Sequence, residues 1–491
     1  MNNRRIAGLV TATLCLAAPS AALAGGPETA HHGRGTAGIF WFMHLSDSHI
    51  GASLFEGPDA AAHLEFAFDQ GVQVIEPSFV VATGDLCDGS INDIPATGQD
   101  QGEWDTYSGL TTQFGMTADF YFDLPGNHDG YGDIGLNYYL ANSVQGQAGG
   151  ALYTDWVVQS PVGKEFYFFG LNSAGNGSGP FLEDPAFTGD EIAALEAGLQ
   201  AHANAELTFV FAHHQLGYPD NSGQVVDAIL TGGGAYYLHG HRHSYNEYLA
   251  GNATIVVNEI DSVGKHNTHN IGVGVIDHNA FVYRSTDVTG AWPLLIISAP
   301  VSNTLRGDST PHPYAYDVCK DRTDNPVRAE VFSVAETSEV TVEVGGLPPV
   351  AMATAPDSTK IWEAEVDTTS LTAGDHAVVV TATVAGDVVQ ESITATFVEG
   401  PCEDLPIEAV PAAGGAGGAG GFGGQAVGGY GGFGGAGGGL APVPPVDEEG
   451  GCGCRQAGAS QPAPRAAGLA LGWLGLALLG YRRGRRRPSR R

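Results

Sequence analysis

Between residues 37 and about 289, two kinds of apolar pattern alternate along the chain. The runs IFWFMHLS, SFVVATG, FYFDLPG, EFYFFGL, LTFVFAHH, AYYLHGH and ATIVVNEI are each the length of a buried strand. Stretches with helical spacing lie between several of them, such as DAAAHLEFAFDQ and DEIAALEAGLQAH. In the second, Asp190 stands where an N-cap is wanted, and Ile192, Leu195 and Leu199 make one apolar stripe. Strands interleaved with helices predict a layered α/β domain over residues 37–289.

After Trp292 the helical spacing disappears. WPLLIISAP, VRAEVFSV, EVTVEV, KIWEAEVD, DHAVVVTATV and ESITATFV read as short strands separated by turn residues. About seven such strands over residues 292–400 predict an all-β, immunoglobulin-like sandwich. Residues 401–451 turn to GGAGGAGGFGG and PVPPVDEEG, which cannot bury a core and read as a Gly/Pro-rich linker.

Both ends carry processing patterns. Arg4 and Arg5, an apolar run from Ile6 and Ala22-Leu23-Ala24 predict a secretory signal peptide over residues 1–24. At the other end, GCGCRQAG and a polar spacer precede AAGLALGWLGLALLGY and RRGRRRPSRR. The apolar run is short for a transmembrane helix, and the arginine block acts as a positive-inside stop. Residues 452–491 resemble a MYXO-CTERM sorting tail. The resemblance implies cleavage by a sortase-like processing protease, with Cys452 or Cys454 as the processing point, and attachment at the cell surface or outer membrane. Composition alone supports a C-terminal membrane anchor. In that oxidising compartment Cys319 and Cys402, which bracket the β-rich segment, are expected to form a disulfide, leaving Cys87 as a small buried filler.

Charge narrows the partners. The net charge is −33, and its distribution is uneven. Two of the 21 basic residues lie in the first five positions and nine between Arg455 and Arg491, which leaves ten against all 54 acidic residues between Gly25 and Gly451. So acidic a body repels nucleic acid at long range, and no nucleic-acid partner is expected. A metal site could still act on a small phosphate ester.

The candidate chemistry sits where the strands end. AYYLHGHRHS crowds His239, His241 and His243 just after an apolar run. Residues two apart in an extended segment project to one side, so His241 and His243 can face one cation or a close pair. Earlier strand ends supply Asp47 and His49 in SDSHIG, Asp85 in TGDLCDG, Asn127 and His128 in LPGNHDG, and His213 and His214 in FAHHQ. In order the blocks are D-x-H, GD, GNHD, H and GHxH. Residues 37–289 therefore resemble the calcineurin-like metallophosphoesterase superfamily.

The resemblance implies a four-layer αββα domain and a two-metal site. Asp47, His49 and His243 would hold one cation, Asn127, His213 and His241 the other, and Asp85 would bridge, since one carboxylate can reach both. His128 would be the catalytic histidine that meets the leaving oxygen. Oxygen and imidazole donors without thiolate suit Mn, Fe or Zn. The function implied is a secreted, surface-anchored hydrolase of phosphate mono- or diesters, acting through attack of a metal-bridging hydroxide. A different class is also open, a surface binding or adhesion protein whose phosphoesterase-like domain is non-catalytic. All seven ligand positions are filled, which weighs against that class.

Neighbouring residues are less decided. His214 is read as a substrate contact or a support to the ligands. Arg242 could bind phosphate bidentately, or be a solvated loop arginine. Asp129 could orient His128 or cap the next turn. His44 and His239 read as packed histidines. Asp88 stands where purple acid phosphatases have a ligand tyrosine, which disfavours that subgroup.

Overall fold

The computed structural model describes residues 33–405 other than 54–56, 266–268, 291 and 308. The expected signal peptide, the linker beyond residue 405 and the sorting tail lie outside the described residues. Among the described residues, no helix is long and apolar enough to cross a membrane.

Eleven strands build the α/β part: β1 (Phe40–Leu45), β2 (Val80–Ala82), β3 (Tyr121–Asp123), β4 (Thr154–Gln159), β5 (Glu165–Gly170) and β6 (Leu207–Phe211) come first. They are followed by β7 (Tyr236–His239), β8 (Asn246–Ala250), β9 (Ile255–Glu259), β10 (Asn270–Asp277) and β11 (Ala280–Asp287). One sheet has the order β11-β10-β1-β2-β3, the other β4-β5-β6-β7-β9-β8. The strands β1, β2 and β3 run parallel, as do β5, β6, β7 and β9. All seven apolar runs named from the sequence contain a strand.

The two sheets face each other across an aromatic core. Phe40, Phe42, Phe79 and Phe122 come from the side of the first sheet, and Phe166, Phe168, Phe209 and Phe211 from the second. Along β5, Phe166 and Phe168 enter this core while Tyr167 and Phe169 face the other way. A strand covered on both faces needs apolar residues at every position, so these runs were continuous and not alternating. Ile192, Leu195 and Leu199 of helix Gly189–Ala201, with Val225 and Ile229 of helix Ser222–Gly232, cover Tyr167 and Val210. On the outer face of the first sheet, Leu64, Phe68, Trp104 and Tyr107 pack on Met43, Leu45, Val273 and Val275. The layers are thus helix, sheet, sheet, helix.

One helix start differs from expectation. Thr188, and not Asp190, caps helix Gly189–Ala201. The Thr188 hydroxyl accepts from the Glu191 N–H, and the Glu191 carboxylate accepts from the Thr188 N–H at 2.9 Å. This is a reciprocal capping box, and Asp190 falls in the first turn.

The C-terminal part is strand-rich. Leu294–Ala299, Asn325–Phe332, Ile361–Val366 and Ala353–Thr354 form one sheet. A second contains Val318–Cys319, Thr337–Val344, Val350–Ala351, Gly374–Val384 and Asp387–Val398. Among the described residues these are nine strands against the expected seven or so: six coincide with the runs named from the sequence, and the other three are only two residues long. Alternate residues such as Val378, Val380 and Ala382 face Val327, Ala329 and Val331 across a shared core. Cys319 and Cys402 are disulfide-bonded, and Cys87 is buried with a free thiol.

A buried ion pair joins the two parts. Arg328 donates from Nε and Nη2 to the two oxygens of Asp277 at 2.8 and 2.9 Å, and from Nη1 to the Gly33 carbonyl at 2.9 Å. Burial works against the charge on Asp277, but the Arg328 guanidinium and His278 hold its carboxyl far below the usual range. Removing one member leaves the other charged and enclosed. Arg328→Ala should therefore lower stability by about 3–5 kcal/mol. Chemical denaturation of the two proteins checks this, and an unchanged midpoint would dismiss the pair as a stabilising element.

Candidate metal centre

Asp47 and His49 lie just after β1, Asp85 after β2, Asn127 and His128 after β3, His213 after β6, and His241 and His243 after β7. All five are parallel strands, and α/β sheets gather their sites at the carboxyl ends of such strands. The backbone bends sharply there. Asp47 (φ 55°), His49 (φ 44°), Asp85 (φ 50°), His241 (φ 71°) and His243 (φ 50°) are all left-handed without being glycine. Each such residue is costly, and concentrations of them mark sites whose side chains must aim one way. Two glycines allow the close approach: a Cβ on Gly240 would meet Asp47 Oδ2 at 2.3 Å, and one on Gly126 would meet Asp85 Oδ1 at 2.2 Å.

The side chains converge in two groups. In the first, His243 Nε2 is 3.1 Å from Asp47 Oδ1 and 3.2 Å from His49 Nε2. In the second, Asn127 Oδ1 is 3.0 Å from His213 Nε2 and 3.1 Å from His241 Nδ1, and the two ring nitrogens are 3.2 Å apart. Asp85 lies between the groups. Its Oδ2 alone faces both, 3.2 Å from His213 Nε2 and 3.7 Å from His49 Nε2. Its Oδ1 accepts the His128 N–H at 2.8 Å and is committed to holding the next loop.

The donors are steered from behind. His213 Nδ1 donates to the Thr83 carbonyl at 2.7 Å, which turns its Nε2 lone pair into the centre. The Asn127 amide donates to Tyr131 Oη at 2.8 Å, which fixes its oxygen on the two histidines. His49 Nδ1 lies 3.0 Å from Asp88 Oδ1, and that oxygen also accepts from Lys265 Nζ at 2.9 Å. Asp129 does not orient the His128 ring. It accepts from the N–H groups of Gly126, Leu86 and Cys87, and so ties the Asp85 loop to the Asn127 loop. The His128 ring donates from Nδ1 to the Asp88 carbonyl at 2.7 Å, leaving Nε2 4.0 Å from Asp85 Oδ2.

Protons occupy this arrangement when cations do not. Burial opposes ionisation of Asp47 and Asp85, yet the facing His243 and His213 hold both carboxyls well below their ordinary range. Burial likewise opposes charge on His49 and His213, but Asp47 and Asp88 raise the first to about 9, and Asp85 and Asp47 raise the second to about 9. Burial, with His213 beside it, lowers His241 to about 4. Enclosed carboxylates and imidazoles whose nitrogens crowd within 3.2 Å fit a cation better than they fit each other. Donor atoms of Asp47, His49 and His243 lie within 4.8 Å of one another, as do those of Asp47, Asp85 and His213.

A pH dependence follows. Two histidines raised to about 9 are protonated at neutral pH in the metal-free protein, and a cation must displace those protons. Apparent metal affinity should rise as pH climbs toward 9, by up to about tenfold per pH unit for each proton released. Calorimetric titration of Mn²⁺ in buffers of different ionisation enthalpy measures the protons directly, and a count of zero would contradict the raised histidines.

The remaining sequence candidates are also accounted for. His214 is buried beside the second group, its ring 4.4 Å from that of His241 and its Nδ1 2.9 Å from Ser173 Oγ. The Arg242 side chain is about half exposed, with Nε 3.8 Å from Glu259 Oε1. His239 lies between the Gly240 carbonyl and Tyr248 Oη, and His44 between Tyr283 Oη and Thr83 Oγ1, both as packed, hydrogen-bonded histidines. Sequence reasoning gave no role to Lys265 or Tyr131 and saw Asp88 only as a departure from a motif.

Comparisons with known proteins agree with this geometry. The profile of the calcineurin-like phosphoesterase family matches residues 40–245. Mouse transmembrane protein 62 is 24% identical over 331 residues, spanning 63% of this chain and 47% of its own length. An Arabidopsis thaliana protein named as a metallophosphoesterase is 24% identical over 225 residues, spanning 42% of this chain and 30% of its own. The chain thus spans less than half the length of either relative. A phosphoesterase-type protein of Streptococcus pneumoniae aligns over 51% of this chain and 91% of its own, at 12% identity and a TM-score of 0.24. The phosphopantetheinyl hydrolase of Mycobacterium tuberculosis aligns over 46% and 91%, at 12% identity and a TM-score of 0.26. Scores that low carry no argument, and the assignment rests on the profile together with the strand-end residues. Residues 40–245 are a calcineurin-like phosphoesterase domain, with histidine and aspartate clusters of the kind that hold that family's divalent metals.

Proposed function

We propose that the protein is a hydrolase of phosphate mono- or diesters that works with two divalent cations, of Mn, Fe or Zn. Asp47, His49 and His243 would hold one, Asn127, His213 and His241 the other, and Asp85 both. The observation that carries this reading is the position of Asp85 Oδ2, within 3.7 Å of a nitrogen from each group. Cations held there would neutralise phosphoryl oxygens and make water a competent nucleophile at neutral pH. The chain's own part is orientation. Asp85 Oδ1 fixes the His128 backbone, the Asp88 carbonyl fixes the His128 Nδ1 proton, and Nε2 is left to meet the leaving oxygen.

The test is a hydrolysis screen of p-nitrophenyl phosphate, bis-p-nitrophenyl phosphate and nucleotides with each metal, beside elemental analysis. Two ions per chain and metal-dependent turnover are expected. Hydrolysis that persists after complete chelation would defeat the reading.

We also assign a signal peptide to residues 1–24, the phosphoesterase domain to 37–289, an immunoglobulin-like sandwich to 292–400, a linker to 401–451 and an anchoring tail to 452–491. The boundary between residues 289 and 292 is supported by the end of β11 at Asp287 and the next strand at Leu294. The export and surface assignments rest on the sequence patterns at the two ends. Removing residues 452–491 should release an active protein from the membrane fraction, and retention there would refute the anchor.

A further inference from the structure

Nine large apolar side chains are exposed among the described residues, and six belong to loops beside the metal centre: Ile91, Ile94, Ile134, Phe181, Leu182 and Tyr218. They are between 41% and 71% exposed, although solvent disfavours each of them. The loops that carry them are tied together. The Ile91 and Ile94 backbones pair with each other, and the Phe181 N–H donates to the Ala96 carbonyl at 3.1 Å. The Gly132 N–H donates to the Ser178 carbonyl at 2.8 Å and the Gly135 N–H to the Asn176 carbonyl at 2.7 Å.

Both ends of this arc rest on the centre. At one, the Gln99 amide donates to the His128 carbonyl at 2.8 Å and to the Tyr131 carbonyl at 2.9 Å. At the other, the Tyr218 ring lies 5.8 Å from that of His241, and its hydroxyl donates to Glu183 at 3.0 Å. An apolar rim therefore runs from His128 round to His241. Exposed apolar side chains on loops next to a site are where a ligand's apolar part is covered.

Charge points the same way. Between Arg34 and Arg242 the sequence has one basic residue, Lys164, and it pairs with Glu206 at 3.0 Å. Lys265 is held by Asp88 and Arg242 faces Glu259. The rim loops carry the exposed Asp93, Glu183 and Asp184 instead. A second phosphate or a polyanionic group lying along the rim would meet these carboxylates, and the half-exposed Arg242 guanidinium belongs to the loop of His241 and His243.

We propose that the substrate is a phosphoester with a single phosphate and an uncharged apolar group, and that the apolar group lies along this rim. The proposal rests on the hydrolase reading and narrows it. A fully buried methylene would contribute about fourfold, so a rim covering one side should give roughly twofold per methylene. With the Mn²⁺-supplemented full chain, kcat/KM for alkyl phosphates and 4-nitrophenyl alkyl phosphates should climb from ethyl through butyl to octyl, by about sixtyfold in all. ATP should be a poorer substrate than ethyl phosphate. The variant F181S/L182S should flatten the series, with circular dichroism and metal content as controls for folding.

A flat series in the wild type, or ATP preferred over octyl phosphate, overturns the proposal. If F181S/L182S instead converts a self-associating wild type to monomer in sedimentation and leaves the series intact, the rim is a contact between copies and the proposal is wrong. If no ester turns over, the hydrolase reading fails by itself. Calorimetry with ethyl- and octylphosphonate then decides this inference separately: tighter octyl binding upholds it and equal affinities reject it.

Discussion

Asp85→Ala should lose metal and hydrolysis together. Asp85 is buried, and its Oδ2 lies 3.2 Å from His213 Nε2 and 3.7 Å from His49 Nε2, one nitrogen from each group. Its other oxygen holds the His128 N–H. Without it, each nitrogen group loses the carboxylate that offsets a cation's charge, and the loop after β3 loses an anchor. Supporting groups that touch no metal commonly cost 10–100-fold in affinity, so Asp85, proposed to ligate both cations, should cost more than about 100-fold. Metal content should drop below one per chain, and ester hydrolysis should fall to background at any practical metal concentration. In the metal-free variant His213 should also titrate well below about 9, because Asp85 is the largest charge raising it. Elemental analysis and histidine NMR titration read the two effects. Retention of two ions by Asp85→Ala would remove it from the centre.

The legible part of this protein is the part where local pattern and tertiary role coincide. A strand buried on both faces must be apolar throughout, and β5, β6 and β7 were visible for that reason. Edge strand β4 alternates half-buried with exposed positions, and β8 is partly exposed, so neither showed as an apolar run. β10 is buried but reads NIGVGVID, and its glycines conceal it. A side chain at Gly272 would strike Tyr283 on the adjoining strand β11, and one at Gly274 would strike Phe42 from a distant segment. The cap at Thr188 was available in the T-x-x-E spacing, and the acid at Asp190 placed the expected start two residues too far along.

The donor residues were legible because each follows a strand end directly. Their supports were not. Lys265 reaches Asp88 across 177 positions, and nothing local to either residue announces the pair. Tyr131 is four residues beyond Asn127, but an aromatic residue in a loop has many other uses. The single-oxygen role of Asp85 depends on the His128 N–H, a backbone group that no sequence pattern displays.

His128→Ala should lower kcat by about 10²–10⁴-fold, the usual range for a group acting in general acid–base catalysis, while both metals stay. The ring is held by its Nδ1 proton on the Asp88 carbonyl, and its Nε2 stands 4.0 Å from the Asp85 oxygen that faces both donor groups. Burial lowers the free ring to about 4, with His49 and Lys265 adding to the effect and Asp85 opposing it. At neutral pH Nε2 therefore begins without a proton. An arriving phosphoryl group brings negative charge to that nitrogen and favours the protonated ring, as a nearby opposite charge does. Two roles then give different signatures. If His128 delivers a proton to the departing oxygen, the loss should be small for p-nitrophenyl phosphate, whose leaving group departs as an anion, and large for an alkyl phosphate, whose leaving group does not. If it only orients the phosphoryl group, both esters should lose the same factor. The position of Nε2, with no hydrogen bond into either donor group, favours the first pattern. Measuring kcat for the two esters in wild type and His128→Ala, with metal content determined on the same samples, distinguishes them. Loss of metal in the variant would make His128 a ligand and reassign the centre.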